Sequence, residues 1–483
     1  MWPCRAQASK VFKAVRFASL TRGEPAALVR TMPATPSNHP RVVRGQRVVL
    51  PSGTRAADVL IVQGRIVGIE AYGSASGDEV LDAAERLVLP GLVDSHVHAR
   101  DPGQTYKEDF GSASRAAARG GITTIMVMPN TVPVVDNVAA FDAVIDAANK
   151  SIVDYAVQAL AHASSLDNIE ALAQRGAVSF ELFLGGGPAA LITRARAVQN
   201  SLFAAVAAAA GVIGVYPDDP ELVAELDCGG DAQAIGRAHP AEVEAGALLS
   251  VLALPAARQC RVHVRQVSTA LSAAVVAQMR RRMPGDVLTA EVTPHHLVLT
   301  MGDFARCGSD GLIMPPLRAA DDVNALWEAI RNGDIATIGS DHAPHSKEEK
   351  HPPGEDLREA LPGFPGLETF LPAVLTECRR RGISDETFVG LAAQTPARLF
   401  GLSDRKGAIA IGLDADLVIV DDSADEMIDC AKFLCKAKYS PFHGRRVAAR
   451  VEQTILRGEI VYAAGAVNDV RQGRFLQPRK GAS

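Results

Sequence analysis

The chain has 483 residues, of which 47% are hydrophobic and 22% charged, and its formal net charge is −5. This length accommodates a large α/β barrel and a smaller accessory domain, and the weak negative charge gives no electrostatic reason to expect a nucleic-acid partner. No apolar run approaches the roughly 20 residues of a membrane-spanning helix, so we expect no membrane partner.

The cysteines indicate a reducing compartment. There are seven of them, scattered along the chain without the spacing of a zinc finger or the even number of a disulfide framework. We therefore expect a cytoplasmic protein, and we expect it to form a homo-oligomer.

The first 40 residues differ in composition from the rest. They carry several basic residues against one acid, Glu24: Arg5, Lys10, Lys13, Arg16, Arg22 and Arg30. A basic segment that is poor in acids is typical of a transit peptide. A disordered extension, or a start codon placed upstream of a true start at Met32, explains the same pattern, and we favour these two interpretations.

Short β-rich runs broken by Gly, Pro and Ser lie on both sides of a long central segment. They occur in residues 41–88 and return in residues 403–465, at positions 46–50, 59–62, 65–69, 416–420 and 453–457. Such runs predict a small β-sandwich domain that is built from both chain ends. Residues 466–483 are basic, and we expect them to form a solvated tail.

The central segment, residues 89–402, alternates apolar strands with alanine-rich helical stretches. Eight strands are predicted, at residues 92–98, 123–128, 155–160, 179–184, 212–216, 261–267, 288–292 and 335–340. Eight such repeats favour an α/β fold, a (β/α)8 barrel of the TIM type, over an open sheet. Because the chemistry of such a barrel lies at the C-terminal ends of its strands, we expect functional residues there.

Two histidines stand at the end of the first barrel strand. His96 and His98 are two residues apart, so both imidazoles point to the same side of the strand. Two imidazoles on one side of a barrel mouth are suitable metal ligands. The pair alone is weak evidence, because this spacing often arises by chance.

The surroundings of the pair make the pattern specific. Residues 90–103 (PGLVDSHVHARDPG) resemble the signature of dihydroorotases, as do KED at 107–109, GGITT at 120–124, MPNT at 128–131, TPHHL at 293–297, PPLR at 315–318, SDHAPH at 340–345, GFPGLET at 363–369 and KGAI at 406–409. The likeness extends from Arg44 to Tyr462. On these motifs the chain resembles the cyclic amidohydrolases, a family that also includes hydantoinases and allantoinases.

The resemblance implies a metal centre in the barrel mouth. In this family one metal ion, usually zinc, is held by the HxH pair and by an Asp after the eighth strand, which match His96, His98 and Asp341. A second ion is held by one His from each of the fifth and sixth strands. A carboxylate of the fourth strand, usually a carbamylated lysine, bridges the two ions.

This chain departs from the family pattern at three positions. Glu181 stands at the bridging lysine, Tyr216 at the fifth-strand His and Gln266 at the sixth-strand His. A phenol with a high pKa and a neutral amide are poor zinc ligands. We therefore predict one zinc ion or none, and the predicted ligands are His96, His98, Glu181 and Asp341.

The resemblance also implies how a substrate is bound and attacked. Asp341 matches the residue that accepts the proton of the attacking water and passes it to the leaving nitrogen, a general acid–base role. Arg100, Asn130 and His345 match the residues that hold the substrate carboxylate and ring, and a planar guanidinium suits a carboxylate. An ion pair between Arg100 and Asp101, or between Arg100 and another nearby acid, is the alternative.

One position argues against a pyrimidine ring as the substrate. Met314 stands where the family usually has an Asn that bonds this ring, and Met cannot make those hydrogen bonds. A different ring, or no ring, therefore fits the sequence better at this point.

Three functions fit these observations. The first is a dihydroorotase-like, metal-dependent hydrolase of a C–N bond in a small cyclic amide or ureide that bears a carboxylate. The second is a catalytically inactive paralogue with a structural or assembly role in pyrimidine metabolism, for instance bound to an aspartate carbamoyltransferase. The third is a binding module for an anionic heterocycle. We favour the enzyme, because an inactive fold has no physical need for the metal-binding and substrate-binding residues together.

Overall fold

The computed structural model describes residues 40–283, 287–468 and 470–479. Residues 1–39, on which the predictions of a transit peptide, a disordered extension or a misplaced start fall, lie outside these ranges. Five strands precede the barrel within the described part: β1 (Arg41–Leu50), β2 (Gly53–Val62), β3 (Arg65–Ala71), β4 (Glu79–Asp82) and β5 (Leu87–Pro90).

The central segment forms a barrel of parallel strands. In the described ranges these are β6 (Leu92–Val97), β7 (Ile122–Val127), β8 (Asp154–Val157) with its continuation β9 (Ala159–Leu160), β10 (Phe180–Phe183), β11 (Val212–Tyr216), β12 (Arg261–Val264), β13 (Leu288–Val292) and β14 (Thr337–Ile338). β6 to β8 and β9 to β14 pair in chain order, and a parallel bridge from Val97 to His342 joins the end of the series to its beginning. The predicted (β/α)8 barrel is confirmed.

Helices alternate with the barrel strands. Within the described ranges they are α1 (Phe110–Arg119), α2 (Val138–Ala147), α3 (Ile169–Arg175), α4 (Arg196–Ala208), α5 (Pro220–Leu226), α6 (Ala232–Ala238), α7 (Ala241–Leu252), α8 (Ala270–Arg280), α9 (Pro294–Val298), α10 (Met301–Cys307), α11 (Ala320–Arg331), α12 (Lys347–Lys350), α13 (Leu367–Arg381), α14 (Asp385–Val389) and α15 (Thr395–Leu399). Several begin where a side chain accepts a backbone N–H of the first turn, as at Asp109, Asn137 and Thr269. Such caps satisfy donors that the helix leaves free. No helix in the described ranges is long and apolar enough to cross a membrane.

Strands from both chain ends form one sheet beside the barrel. After the barrel come β15 (Leu417–Asp421), β16 (Glu426–Met427), β17 (Arg446–Val447), β18 (Arg450–Leu456), β19 (Glu459–Ala463) and β20 (Ala466–Val467). The order in the sheet is β20-β19-β18-β15-β5-β1-β2-β3, with β4 paired to β1. The two halves meet where β15 runs antiparallel to β5. The expected small β domain from both chain ends is therefore present.

Residues 474–476 pack against the barrel, whereas the sequence predicts a solvated tail. Phe475 forms a bridge with Tyr155, and its ring lies 5.9 Å from the ring centroid of Phe141. Leu476 is buried, and the backbone N–H of Arg474 donates to Asp154 at 2.8 Å. The two apolar side chains in this basic segment give it a place to pack against the barrel, so the prediction of a solvated tail is wrong for residues 474–476.

Three residues at the C-terminal ends of barrel strands have left-handed backbone conformations. The φ angles are 59° at Arg100, 52° at Gln266 and 47° at Asp341, a region that residues other than glycine seldom adopt. The turn at Gln266 ends the sixth strand at Val264, before the predicted residue 267. All three side chains line the same cavity, so the unusual backbone aims functional groups into one space.

Candidate metal centre and substrate cavity

Three side chains converge at the mouth of the barrel. His96 lies in β6, His98 follows its end, and Asp341 follows β14. Oδ1 of Asp341 lies 3.2 Å from Nε2 of His96 and 3.3 Å from Nε2 of His98. One ligand atom from each of the three lies within 4.8 Å of the others. We call this group the metal triad; it contains three of the four predicted metal ligands.

The orientation of His96 is set by Glu291 on β13. Nδ1 of His96 lies 2.7 Å from Oε1 of Glu291, and both side chains are fully buried. Because a carboxylate accepts, this contact places a proton on Nδ1 and leaves the Nε2 lone pair facing the triad. A carboxylate behind a ligating imidazole is a common arrangement in metal sites.

The second imidazole is oriented by Asn130. Nδ1 of His98 donates to Oδ1 of Asn130 at 2.8 Å, which again directs Nε2 toward Asp341. Asn130 also lines the cavity described below. The sequence predicts only a substrate-binding role for Asn130, and its contact with His98 is an additional one.

The carboxylate of Asp341 is held from both sides. Nε2 of Gln266 donates to Oδ2 at 2.5 Å, while Oδ1 faces the two imidazoles. Burial by itself raises the pKa of Asp341, but the neighbouring imidazoles of His96 and His98 outweigh it and lower the pKa to about 2. Gln266 thus stands where the family has a histidine ligand, and its side chain donates a hydrogen bond to Asp341, one of the three members of the triad.

Glu181, the fourth predicted ligand, does not join the triad. Its Oε1 accepts hydrogen bonds from Nη2 of Arg265 at 2.8 Å and from Ser179 at 2.5 Å, and its Oε2 accepts from Nε of Arg265 at 3.1 Å. Glu181 and Arg265 are both fully buried. Gly214 makes room for this pair, since a methyl group there would overlap the Glu181 carboxylate.

Tyr216 reaches the triad from β11. Its hydroxyl lies 2.9 Å from Nε2 of His96, and its ring stacks on Phe183 with centroids 4.5 Å apart. Burial raises the pKa of the Tyr216 phenol well above its ordinary value. Since Nδ1 of His96 carries the proton, the Tyr216 hydroxyl donates to Nε2, the atom with which His96 would bind a metal.

A cavity of about 490 Å³ adjoins the triad, with His98 and Asp341 in its wall. Arg100 lines it and is buried, and burial lowers the pKa of its guanidinium. Arg100 forms no ion pair with a carboxylate in the part of the chain that the structure describes. Asp101 instead pairs with Lys150 at 2.5 Å, so the alternative of an Arg100–Asp101 pair is wrong.

The cavity wall near Arg100 contains two further groups: His345, which the sequence predicts, and Lys107, which it does not. His345 lies with Nε2 3.0 Å from the carbonyl oxygen of Pro362, and Nδ1 3.4 Å from Nζ of Lys107. Burial and the neighbouring cations lower the pKa of His345 to about 2, which makes the imidazole neutral. Lys107 pairs with Glu349 at 2.9 Å. Arg100, Asn130 and His345, the predicted substrate-binding residues, all line this cavity, and so does Met314.

The donor set fits a small divalent cation. Two imidazole nitrogens and a carboxylate oxygen are ligands that zinc accepts. The charges agree, because the buried carboxylates beside the triad outnumber the buried guanidiniums by two. The carboxylates are those of Asp94, Glu181, Glu291 and Asp341, and the guanidiniums are those of Arg100 and Arg265. Buried charge is costly unless it is compensated, and one divalent ion balances this excess.

Sequence reasoning missed Arg265 and Glu291. A signal for both was present, because Arg265 is a charged residue at the C-terminal end of the predicted sixth strand, two positions after His263. Alternate strand residues face the same side, so Arg265 is directed into the barrel, where a charge needs a partner. The carboxylates available inside the barrel were Glu291 on the adjacent strand β13 and Glu181 on β10, two strands away.

Comparison with known proteins agrees with this architecture. Residues 87–218 and 228–461 match the amidohydrolase family. The chain is 32% identical over 449 residues to a dihydroorotase of Methanosarcina acetivorans, across 90% of this chain and 95% of that protein. It is 33% identical over 444 residues to an allantoinase of Streptomyces avermitilis, across 90% of this chain and 98% of that protein.

A solved structure gives the same relationship. The L-hydantoinase (dihydropyrimidinase) of Arthrobacter aurescens superimposes with a TM-score of 0.87 at 32% identity, across 90% of this chain and 99% of that one. These matches cover the barrel and the β domain together, and they confirm the predicted kinship with cyclic amidohydrolases. The chain belongs to the amidohydrolase family.

Proposed function

We propose that the protein hydrolyses a C–N bond in a small cyclic amide or ureide that bears a carboxylate, with one divalent metal ion, zinc, at His96, His98 and Asp341. The observation that carries the proposal is a shared cavity. Two members of the metal triad, His98 and Asp341, lie in its wall, and the same wall holds a buried guanidinium, Arg100, without a carboxylate partner among the described residues.

The metal triad supports the hydrolytic chemistry. A divalent ion bound there supplies Lewis-acid polarisation of a carbonyl group and lowers the pKa of water toward about 7. Asp341 is ionised at neutral pH, since its pKa is about 2. It is therefore ready to accept a proton from the attacking water and to pass it to the leaving ring nitrogen, while Gln266 holds its second oxygen in place.

The cavity wall supports a substrate with a carboxylate. Arg100 offers a planar set of donors that matches both oxygens of a carboxylate. Its Nε donates to the carbonyl oxygen of Pro344 at 3.2 Å, which fixes the direction of the side chain. The amide nitrogen of Asn130 is the complementary donor, since its oxygen is already taken by His98.

Met314 in the cavity wall bears on which ring is bound. Its thioether offers no donor to a pyrimidine ring, so we place a hydantoin-type or ureide ring beside dihydroorotate among the substrates to be tested. The named relatives include a dihydroorotase, an allantoinase and an L-hydantoinase, and these names cover the rings to be tested.

None of these names supports the alternative of a catalytically inactive paralogue. A role in pyrimidine metabolism belongs to the dihydroorotate outcome of the test, while the cytoplasmic location, the homo-oligomer and an aspartate carbamoyltransferase partner stay predictions.

The proposal is tested by a substrate panel measured on zinc-reconstituted protein. We expect turnover of at least one among dihydroorotate, a carboxylate-bearing hydantoin and allantoin. Asp341→Asn should lower kcat by about 100- to 10,000-fold, the usual contribution of a general acid–base group. Its zinc content is measured in parallel, so that loss of the proton carrier is distinguished from loss of the metal.

Arg446→Met is a suitable control, because it removes an exposed guanidinium whose side chain is 64% accessible. Its kcat should equal that of the unaltered protein. Zinc-loaded protein that turns over none of the three rings would contradict the proposed function.

A further inference from the structure

The guanidinium of Arg265 lies inside the barrel, next to the metal triad, with all of its nitrogens engaged. Nε and Nη2 donate to the two oxygens of Glu181 at 3.1 and 2.8 Å. Nη1 donates to Oε2 of Glu291 at 2.8 Å and to the carbonyl oxygen of Ser95 at 3.1 Å. Arg265 is fully buried, as are both carboxylates.

Two short paths connect Arg265 to the triad. Through Glu291 the path runs from Nη1 of Arg265 to one carboxylate oxygen at 2.8 Å and from the other oxygen to Nδ1 of His96 at 2.7 Å. Along the chain the next residue is Gln266, which donates to Asp341. The positive charge of Arg265 is therefore part of the same buried network as two of the three candidate ligands.

The contacts of Glu181 decide whether it is a ligand. Both of its oxygens accept hydrogen bonds from Arg265, and Oε1 accepts a further one from Ser179. Its carboxylate is not among the atoms that converge with the triad in the described part of the chain. An ion pair made by two parallel hydrogen bonds is strong and directional, so Glu181 has little capacity left for a metal ion.

We propose that Arg265 is a permanent cation of this centre that neutralises the charge of Glu181 and holds its carboxylate away from the metal. The negative charge and the ligands that remain then suit one divalent ion. This inference rests on the metal centre of the proposed function and assigns Glu181 a partner in place of the predicted metal. Arg265 is a positioning residue, since it acts on the ion through the charges and hydrogen bonds of its neighbours.

Zinc affinity, measured by competition with a chelating dye on metal-free protein, tests the inference without relying on turnover. The unaltered protein should bind one zinc equivalent. Arg265→Met leaves an uncompensated negative charge beside the triad, and Coulomb attraction should then tighten zinc binding by at least about tenfold. Arg265→Lys keeps the charge without the paired hydrogen bonds to Glu181, so its Kd should lie between those of the unaltered protein and Arg265→Met.

A charge-balanced double variant, Arg265→Met with Glu181→Met, separates charge from ligation. We expect it to bind one zinc equivalent with a Kd within about threefold of the unaltered protein, because neither side chain contacts the ion and their charges cancel. Should Arg265→Met alone fail to fold, as judged by circular dichroism, the double variant decides. Loss of zinc from the double variant would show that Glu181 is a ligand and would overturn the inference.

Other outcomes are equally decisive. Weaker zinc binding by a folded Arg265→Met variant contradicts the inference while leaving the proposed hydrolysis intact. Two zinc equivalents in the unaltered protein contradict both the inference and the single-metal centre of the proposed function. One zinc equivalent with the expected series of affinities, but no turnover of any ring, contradicts the proposed function and leaves the inference in place.

Discussion

Nδ1 of His96 donates to Oε1 of Glu291 across 2.7 Å in a fully buried contact. This contact fixes the tautomer that presents the Nε2 lone pair to the metal triad. Glu291→Gln weakens that preference, because an amide can present either a donor or an acceptor. We expect zinc affinity to fall by about 10- to 100-fold, the usual effect of changing a group behind a ligating His.

The measurement is zinc titration of the metal-free protein. Glu368→Gln is a matched control, since Glu368 is a buried carboxylate that accepts from the backbone of Leu434 at 2.9 Å, outside the triad. An equal loss of affinity in both variants would mean that Glu291 acts only through general stability.

The Tyr216 hydroxyl competes with a metal ion for His96. It donates to Nε2 at 2.9 Å, the same lone pair that a metal would use. Tyr216→Phe removes this hydrogen bond and should tighten zinc binding by about 2- to 10-fold, which corresponds to the net free energy of one hydrogen bond. Weaker zinc binding in Tyr216→Phe would instead identify the phenol oxygen as a ligand. Tyr439→Phe, which removes a hydroxyl that contacts His345, should leave zinc affinity unchanged.

Arg100 should determine the preference for a substrate carboxylate. Arg100→Met removes a charge-assisted pair, and we expect kcat/KM for a carboxylate-bearing ring to fall by about 10- to 150-fold. The uncharged carboxamide analogue of the same ring should lose much less, because it makes no ion pair. Equal losses for the two substrates would mean that Arg100 acts by maintaining the structure of the loop after β6 and not by binding the carboxylate. Arg100→Lys should recover part of the preference, since it keeps the charge without the planar pair of donors.

Lys350 should make stability depend on pH above neutrality. Its Nζ is buried and donates to the carbonyl oxygens of Leu312 and Leu361 at 2.9 and 3.2 Å. Burial lowers its pKa from 10.5 to about 7. Between these values the unfolded chain binds a proton at Lys350 that the folded protein has released, so the free energy of unfolding should rise with pH, by at most about 1.4 kcal/mol per unit.

Urea unfolding at pH 7, 8 and 9 measures this rise. Lys350→Met should remove the increment that Lys350 contributes, while Lys347→Met, at an exposed position of the same helix, should retain it. Identical slopes in the two variants would rule out the buried lysine as the source.

The barrel was predictable because its signals are local. The predicted strands at 212–216 and 288–292 coincide with β11 and β13. β11 carries no charged residue, as expected of a strand buried on both faces, and β13 is apolar at three of its five positions. The predicted end of the sixth strand, residue 267, was too late, because β12 ends at Val264. The left-handed turn at Gln266 cannot be recognised from the pattern of polar and apolar residues. The packing of Phe475 against Tyr155 was missed for a related reason, because the basic residues around it outweigh one aromatic side chain in composition.

The metal triad was predictable, but the surroundings of Glu181 were not. His96, His98 and Asp341 lie in long, specific motifs, and each motif carries its own evidence. The fate of Glu181 depends instead on Arg265, which is 84 residues away in sequence. Only the register of β10, β11 and β12, with Gly214 leaving room for the Glu181 carboxylate, brings these charges together. A match to a ligand position of the family therefore predicts where a side chain lies in the barrel, but it does not predict which group that side chain contacts.

The central claim is that one metal ion at His96, His98 and Asp341 supports hydrolysis. Metal-free protein should be titrated with zinc while turnover of the best ring substrate is followed. Activity should rise linearly and reach its plateau at one zinc equivalent per chain, and His98→Ala should show no such rise. A plateau at two equivalents, full activity in the metal-free protein, or no activity at any zinc concentration would contradict the claim.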